Sequence, residues 1–166
     1  MLEYQLYKNE SCQLLIIGNQ TGLHSVSFIR KDEHLKYERS KEITVDDLRL
    51  KRAAGSLDKA LKQIDEYFRG ERKDFKLSLS PVGTVFQQKV WKELQKIPYG
   101  QTIDYKTLAT RIGNPNASRA VGMANSKNPI GIVIPCHRVI GANGKLTGYA
   151  GGLDNKQLLL ELEQSI

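Results

Sequence analysis

The sequence has no long apolar run and only two cysteines. No stretch approaches the roughly 18 consecutive apolar residues that a membrane-spanning helix needs. The segment from Met1 to Tyr4 lacks the basic region followed by an apolar one that begins a signal peptide. We therefore expect a cytoplasmic protein with no membrane partner.

The scarcity of cysteine also limits the kinds of structural site. Cys12 and Cys136 lie in very different contexts, so a disulfide framework is not expected. The three histidines and two cysteines show no Cys-x-x-Cys or His-x-x-x-His spacing, which argues against a four-ligand zinc site. We expect neither a metal nor a cofactor.

Positive charge is in excess, and most of the excess lies in the second half. The net charge is +7, and residues 84–166 contain 10 Lys and Arg against 5 Asp and Glu, which leaves +5 there. A basic half favours a polyanionic partner through phosphate contacts and counterion release. Many basic proteins bind no nucleic acid, so charge alone does not establish DNA binding.

The first half has the pattern of an antiparallel sheet with one helix. Strand-forming residues fill three segments separated by turn residues: 4–7, 12–17 and 23–28. The next segment, 31–50, is highly charged and typical of a loop. Apolar residues at helical spacing predict a helix over 57–69, with Ser56 as its cap.

A domain boundary is indicated near Pro81 and Gly83. Residues 75–79 alternate as in a strand or an extended linker, and the pattern then changes to a mainly helical one. We expect two domains, a sheet-and-helix domain at 1–80 and a mainly helical domain at 84–166. The fold class is therefore α/β, in the α+β arrangement.

The helical half contains a candidate helix-turn-helix. Thr84 to Gln87 fits a capping box that starts a first helix. Asp104 can cap a second helix, which Gly113 ends, and Asn114-Pro115 can open a third. Two helices joined by a short glycine-containing turn match a helix-turn-helix, although an ordinary helical hairpin gives the same pattern.

Cys136 is the most informative residue of the second half. A continuous apolar run, Ile130 to Ile134, predicts a buried strand that leads into Pro135-Cys136-His137-Arg138. A thiol reacts as the thiolate, and a nearby imidazole such as His137 can take its proton. A carboxylate of the last helix, Glu161 or Glu163, could orient that imidazole. The alternative is a buried, inert cysteine, and the spacing does not separate the two.

The sequence around Cys136 resembles the active-site signature of the O6-alkylguanine-DNA alkyltransferases. The resemblance covers residues 84–166 and is carried by several motifs in the same order: Phe86 to Trp91, Ile97 to Gly100, Asp104-Tyr105, Ser118 to Gly122, Asn128-Pro129, Ile134 to Val139 and Gly148-Tyr149. The first 80 residues resemble the family's N-terminal ribonuclease-H-like domain in length and pattern only. Residues 104–125 are accordingly interpreted as a true helix-turn-helix beside a Pro-Cys-His-Arg active-site loop.

The resemblance implies catalytic roles. Cys136 would accept the alkyl group, His137 would act as its base through a water molecule, and Glu163 rather than Glu161 would orient His137. Asn128 would brace the cysteine loop, and Tyr105 would help to turn out the nucleotide and hydrogen-bond the guanine.

The resemblance also implies how DNA and base are held. The second helix of the helix-turn-helix would enter the minor groove, where Ser118 and Gly122 allow close approach and Arg119 fills the gap left by the flipped nucleotide. Tyr149 and the backbone at Val139 would line the base pocket. Ala150 stands where some members have a hydroxyl or a larger residue, which leaves the substrate range open.

The expected function is direct-reversal DNA repair by a single-turnover methylated-DNA–protein-cysteine methyltransferase. The substrate would be double-stranded DNA containing O6-alkylguanine, and also O4-alkylthymine. We expect a monomer, and whether molecules cooperate along DNA stays open. Two other functions compete: a non-catalytic relative that only binds alkylated DNA, and a cysteine hydrolase. The presence of Cys136 argues against the first, and nothing beyond the Cys-His pair suggests the second.

Overall fold

The computed structural model describes residues 1–166, which divide into two compact units at Ser80 and Pro81. The first unit contains five strands and two helices: β1 (Glu3–Lys8), β2 (Gln13–Asn19), β3 (Gly22–Phe28), α1 (Lys31–Glu38), β4 (Glu42–Val45), β5 (Leu48–Arg52) and α2 (Asp58–Phe68). The second contains four helices and two short strands: α3 (Val85–Leu94), β6 (Ile103–Asp104), α4 (Tyr105–Arg111), α5 (Ser118–Ser126), β7 (Val139–Ile140) and α6 (Leu153–Leu162). None of these helices combines the length and the apolar composition needed to cross a membrane.

The sheet of the first unit has the order β3-β2-β1-β5-β4. The predicted antiparallel pairing of the first three strands is confirmed, and the added β1–β5 pair is parallel. Strand β2 is buried along its central five residues because both of its faces are covered. One face carries Leu15 and Ile17 in a cluster with Tyr4. On the other face Tyr7 stacks on Phe68 of α2, with ring centroids 5.6 Å apart.

Two predictions for the first unit are wrong. Residues 31–50 are not a loop, since they form α1 and the β4–β5 hairpin. Most of their charges lie on exposed faces, and His34, Ile43 and Leu50 supply the buried positions. Ser56 does not cap α2, because its hydroxyl donates to the Glu3 carboxylate instead.

The second unit packs α3, α4 and α5 together around a buried core. Trp91 of α3 is 2% exposed, and its indole N–H donates to the Ala124 carbonyl of α5 at 2.8 Å. The predicted caps are confirmed: Thr84 forms the capping box of α3, and Asp104 accepts from the Thr107 amide at the start of α4. Gly113 follows α4 with φ of 82°, a value that glycine adopts without steric cost.

Two boundaries in this unit differ from prediction. The helix expected at Asn114-Pro115 begins at Ser118, because residues 114–117 form a turn closed by the Ala117 amide on the Asn114 carbonyl. Residues 130–134 are buried as expected, but they form turns and no strand. The predicted α/β class, with a sheet-rich first part and a helical second part, is confirmed.

Candidate active site

Cys136 begins a short 3-10 helix, Cys136–Arg138, which we call the cysteine turn. The turn is almost completely buried, and Cys136 itself is 6% exposed. Four residues before Cys136, Ile132 has φ of 71°, a left-handed conformation that costs a β-branched residue about 1–2 kcal/mol. Ile132 is only 1% exposed, so packing holds it in this strained conformation.

Two asparagines at the end of α5 hold the cysteine turn. The Asn128 side-chain amide donates to the Ile134 carbonyl at 2.8 Å, and its oxygen accepts from the Ile130 amide at 3.0 Å. Asn125 donates to the Cys136 carbonyl at 3.4 Å. The backbone on both sides of the sulfur is therefore tied to the second helix of the helix-turn-helix.

Several polar groups surround the Cys136 thiol. Burial has the largest effect and leaves the pKa of the thiol raised, although hydrogen bonds with the side chains of Asn128 and Tyr149 and the positive charge of Lys156 reduce the increase. These groups stabilise the thiolate selectively, since each interacts better with an anion than with the neutral thiol. At the other cysteine, Cys12, burial raises the pKa to about 12, against the effect of a hydrogen bond with Asn9.

His137, Arg138 and Glu163 form a buried network beside the thiol. Nε2 of His137 lies 2.7 Å from Oε2 of Glu163. Arg138 donates to both carboxylate oxygens, from Nε at 2.8 Å and from Nη2 at 3.1 Å. Its remaining nitrogen, Nη1, donates to the Ile97 carbonyl at 2.6 Å. All three side chains of the network are less than about 10% exposed, so the ion pair is shielded from water.

The electrostatics of the network fix its protonation states. Burial lowers the pKa of His137 by more than the contact with Glu163 raises it, so the imidazole is neutral. Burial alone would raise the pKa of Glu163, but hydrogen bonds from His137 and Arg138 bring it down to about 2. An ionised carboxylate can only accept, so Nε2 of His137 carries the proton. Nδ1 is then a lone-pair nitrogen, and no protein group occupies it.

Tyr105, at the start of α4, meets the glycine-rich loop 141–152. Its hydroxyl donates to the Thr147 carbonyl at 3.3 Å, two residues before Tyr149. Its ring packs against α5 at Gly122, where an added Cβ would lie 3.6 Å from the ring. Strand β7 places Val139 beside Ile103, so the residues after the cysteine turn pair with those before α4.

The structure brings most of the predicted site residues into one region of the second unit. Asn128, Tyr149 and Cys136 are in contact, and His137 is paired with Glu163 rather than with the exposed Glu161. Arg119 is exposed on α5 and bonds to no residue of the cysteine turn. Ser118 and Gly122 are half-buried on the same helix. Their roles with DNA stay predictions.

Sequence reasoning missed Lys156, and it left open whether Arg138 is a surface charge or part of a structural ion pair. Lys156 lies on α6 with 0% exposure, and its Nζ donates to the carbonyls of Val139 and Thr147. A signal was present, because positions 156, 160 and 163 share one face of a helix. The apolar Leu160 indicates that this face is buried. Lys156 and Glu163 on the same face were therefore candidates for buried charged residues that need polar partners.

Comparisons with known proteins indicate one and the same family for both halves of the chain. Residues 85–165 match the family model for the 6-O-methylguanine DNA methyltransferase DNA-binding domain, and residues 2–81 match that for its ribonuclease-like domain. A methylated-DNA–protein-cysteine methyltransferase of Methanosarcina acetivorans is 47% identical over 162 residues, which cover 98% of each protein.

The solved structures most similar in fold that we compared belong to the same family. The crystal structure of Mycobacterium tuberculosis O6-methylguanine methyltransferase has a TM-score of 0.84 at 41% identity and covers 99% of this chain and 94% of that one. A structure of the Mycobacterium tuberculosis protein in complex with DNA has a TM-score of 0.83 at 41% identity, with 98% and 93% covered.

Proposed function

The chain belongs to the 6-O-methylguanine DNA methyltransferase family, and we propose on this premise that it repairs DNA by transferring the alkyl group of O6-alkylguanine to Sγ of Cys136. The observation that carries the proposal is the surroundings of that sulfur: a buried thiol flanked by Asn128, Tyr149 and a positive charge, beside a neutral imidazole. Cys12, by contrast, has only a side-chain hydrogen bond with Asn9 to oppose the effect of burial.

The first step is removal of the thiol proton. His137 is held by Glu163 so that its proton sits on Nε2, which leaves the lone pair of Nδ1 as the base. A water molecule carries the proton from Sγ to Nδ1, because adjacent side chains on a 3-10 turn point in different directions. The imidazolium that forms is stabilised by the Glu163 carboxylate, as in other nucleophile–base–acid triads.

The second step is displacement at the alkyl carbon. The thiolate forms the S–C bond as the C–O6 bond breaks, and the electron pair of that bond goes to guanine. The Tyr105 hydroxyl donates a hydrogen bond to the base as its negative charge grows, an effect that is strongest in a water-excluded site. The guanine anion takes back the proton that the Cys136 thiol released to His137, so neutral guanine and a thioether are the products. No group of the site can cleave a thioether, so each protein molecule reacts once and needs no cofactor.

Access to the buried sulfur requires the base to leave the duplex. Extruding a nucleotide costs a few kcal/mol, and less when the lesion pairs badly. We assign the supporting contacts to α5: Ser118 and Gly122 let the helix approach the minor groove, and the planar cation of Arg119 fills the space in the stack. Minor-groove readout is degenerate, so binding would be largely independent of sequence.

The base pocket would be formed by Tyr149 and by the backbone at Val139. Because the chemistry needs only an alkyl carbon on an aromatic oxygen, O4-alkylthymine is a second substrate that the same thiolate can attack. We further propose that the protein acts as a monomer in the cytoplasm.

The test is an intact-mass measurement after incubation with a duplex that contains O6-methylguanine. We expect a gain of one methylene mass, at one equivalent per protein, located on Cys136 by peptide mapping. Cys136→Ser should gain nothing, and Cys12→Ala is the matched control that should react as the wild type does.

Two outcomes would contradict the proposal. Retained DNA binding without a mass gain would indicate a protein that only recognises the lesion. Multiple turnover on a peptide or ester substrate would indicate a cysteine hydrolase.

A further inference from the structure

The Ile-Pro-Tyr-Gly motif at residues 97–100 has no role in the reaction described above. It forms a turn that follows α3, which we call the 97–100 turn. Its last residue, Gly100, has φ of 80°, and a Cβ added there would lie 3.2 Å from the Glu163 carbonyl oxygen. Glycine adopts this backbone conformation without steric cost. The turn therefore lies directly against the residue that holds His137.

Tyr99 connects the 97–100 turn to the buried network in two ways. Its hydroxyl donates to the Leu162 carbonyl at 3.3 Å, one residue before Glu163. The guanidinium of Arg138 lies over its ring, with the central carbon 5.7 Å from the ring centroid. The face of an aromatic ring carries partial negative charge and attracts a cation. Burial and the Glu163 charge raise the pKa of Tyr99, against the effect of Arg138, so the phenol is neutral at the pH of the reaction.

The position of Arg138 decides how much of the Glu163 charge acts on His137. Nη2 of Arg138 and Nε2 of His137 lie 3.1 and 2.7 Å from the same carboxylate oxygen, Oε2. The guanidinium therefore shares the charge that would otherwise favour the imidazolium. Burial has the largest effect and lowers the pKa of His137, the contact with Glu163 raises it, and the charges of Arg138 and Lys156 lower it.

We infer that Tyr99 is a positioning residue for alkyl transfer, whose ring holds the Arg138 guanidinium on the Glu163 carboxylate and so keeps the imidazole of His137 a free base. The inference rests on the proposed function, because a free base is needed only if His137 accepts the thiol proton. Tyr99 touches no reacting atom, so its effect should appear in the hydrogen bonding and protonation of His137.

Tyr99→Leu removes the ring and tests this inference. Arg138 should then be held less firmly on Glu163, so that more of the carboxylate charge acts on His137 and less repulsion comes from the guanidinium. The hydrogen bond from Nε2 should become stronger, and the NMR signal of its proton should move downfield. The acid-side midpoint of the pH profile for reaction with free O6-benzylguanine should rise by about half a unit, with about threefold slower reaction below the midpoint.

Two controls separate the ring from the hydroxyl and from a general loss of stability. Tyr99→Phe keeps the ring and loses the bond to Leu162, so it should retain the wild-type NMR signal and midpoint even if it melts at a lower temperature. Leu108→Ala removes a buried side chain of α4 in the same unit. It should lower the melting temperature and leave the NMR signal and the midpoint unchanged.

The outcomes separate this inference from the proposed function. If Tyr99→Leu matched Leu108→Ala in both measurements, or shifted in the opposite direction, Tyr99 would be a structural residue only. If Tyr99→Leu does not fold, pentafluorophenylalanine at residue 99 decides, because it keeps the shape of a phenyl ring and removes the attraction of its face for a cation. A wild-type protein that gains no methyl group from DNA would overturn the proposed function, whereas a downfield shift in Tyr99→Leu would still support the effect of Tyr99 on the network.

Discussion

Replacing Glu163 by glutamine should damage both the stability and the reactivity of the protein. The carboxylate accepts from Nε2 of His137 and from two nitrogens of Arg138, at 2.7, 2.8 and 3.1 Å. Glutamine keeps the shape of the side chain, but its NH2 group is a donor and must face one of these donors. Arg138 would then be a buried cation without a carboxylate partner, held by the Ile97 carbonyl and by its position over the Tyr99 ring.

Two independent arguments give the size of the stability loss. Breaking a buried ion pair by removing one partner costs about 3–5 kcal/mol. The pKa of Glu163 is lowered from 4.5 to about 2, and a shift of that size corresponds to about 3 kcal/mol of stability at neutral pH. Because the folded-state pKa is the lower one, this contribution is complete above about pH 4.5 and disappears as the pH falls toward 2.

The assay is urea unfolding at neutral pH together with the rate of methyl transfer. Glu161→Gln is the matched control, since Glu161 is exposed on the same helix and makes a hydrogen bond only to Gln157. We expect Glu163→Gln to lose about 3 kcal/mol and to slow transfer about 10²-fold, the lower range for loss of an oriented base. If Glu163→Gln and Glu161→Gln were equally stable and equally fast, the buried network would have neither role.

Further perturbations test other parts of the molecule. Arg119→Ala should slow repair of duplex DNA much more than reaction with free O6-benzylguanine. Arg111→Ala, at another exposed arginine of the helix-turn-helix, serves as the control. An equal loss of rate on both substrates for Arg119→Ala would exclude a role of Arg119 in base flipping. Methylation of Cys136 adds a carbon to a side chain that is 6% exposed, so the free energy of unfolding of the methylated protein should be about 1–3 kcal/mol lower, measured by differential scanning calorimetry. An unchanged melting temperature would argue against tight packing around the sulfur. Burial lowers the pKa of His137 and of His34, so the unfolded chain takes up protons at a higher pH than the folded one, and the free energy of unfolding should fall as the pH drops below about 6.5. Urea unfolding between neutral pH and pH 5 should show a smaller decrease in this free energy for His34→Gln than for the wild type. An identical decrease would exclude His34 as a contributor.

Local signals in the sequence were sufficient for most elements of the fold. The capping box at Thr84 and the cap at Asp104 involve residues three apart, so they can be recognised without knowing any tertiary contact. The segment 130–134 could not be assigned in this way, because a short buried apolar run is compatible with a strand or with packed turns. Whether the segment forms a strand or turns depends on Asn128. Its side chain accepts a hydrogen bond from the Ile130 amide and donates one to the Ile134 carbonyl, so it replaces the bonds that a neighbouring strand would make.

The candidate site was predictable where its residues form a contiguous motif. Cys136 and His137 are adjacent in the sequence, and the choice of Glu163 over Glu161 came from the family resemblance. Lys156 donates hydrogen bonds to the carbonyls of Thr147 and Val139, which are 9 and 17 residues away in the sequence. No local sequence pattern specifies such a contact. The ion pair between Arg138 and Glu163 is likewise visible only after α6 has packed on the cysteine turn.

Three donors that hold the cysteine turn each bond to at least one main-chain oxygen. Asn128 bonds to the carbonyl of residue 134, Arg138 to that of residue 97 and Lys156 to those of residues 139 and 147. A main-chain oxygen is present whatever the residue type, so the side chains at those four positions can vary in shape without loss of these bonds. Directed evolution toward bulkier lesions therefore has to preserve Asn128, Arg138 and Lys156, because changes at these three donors would remove the framework itself.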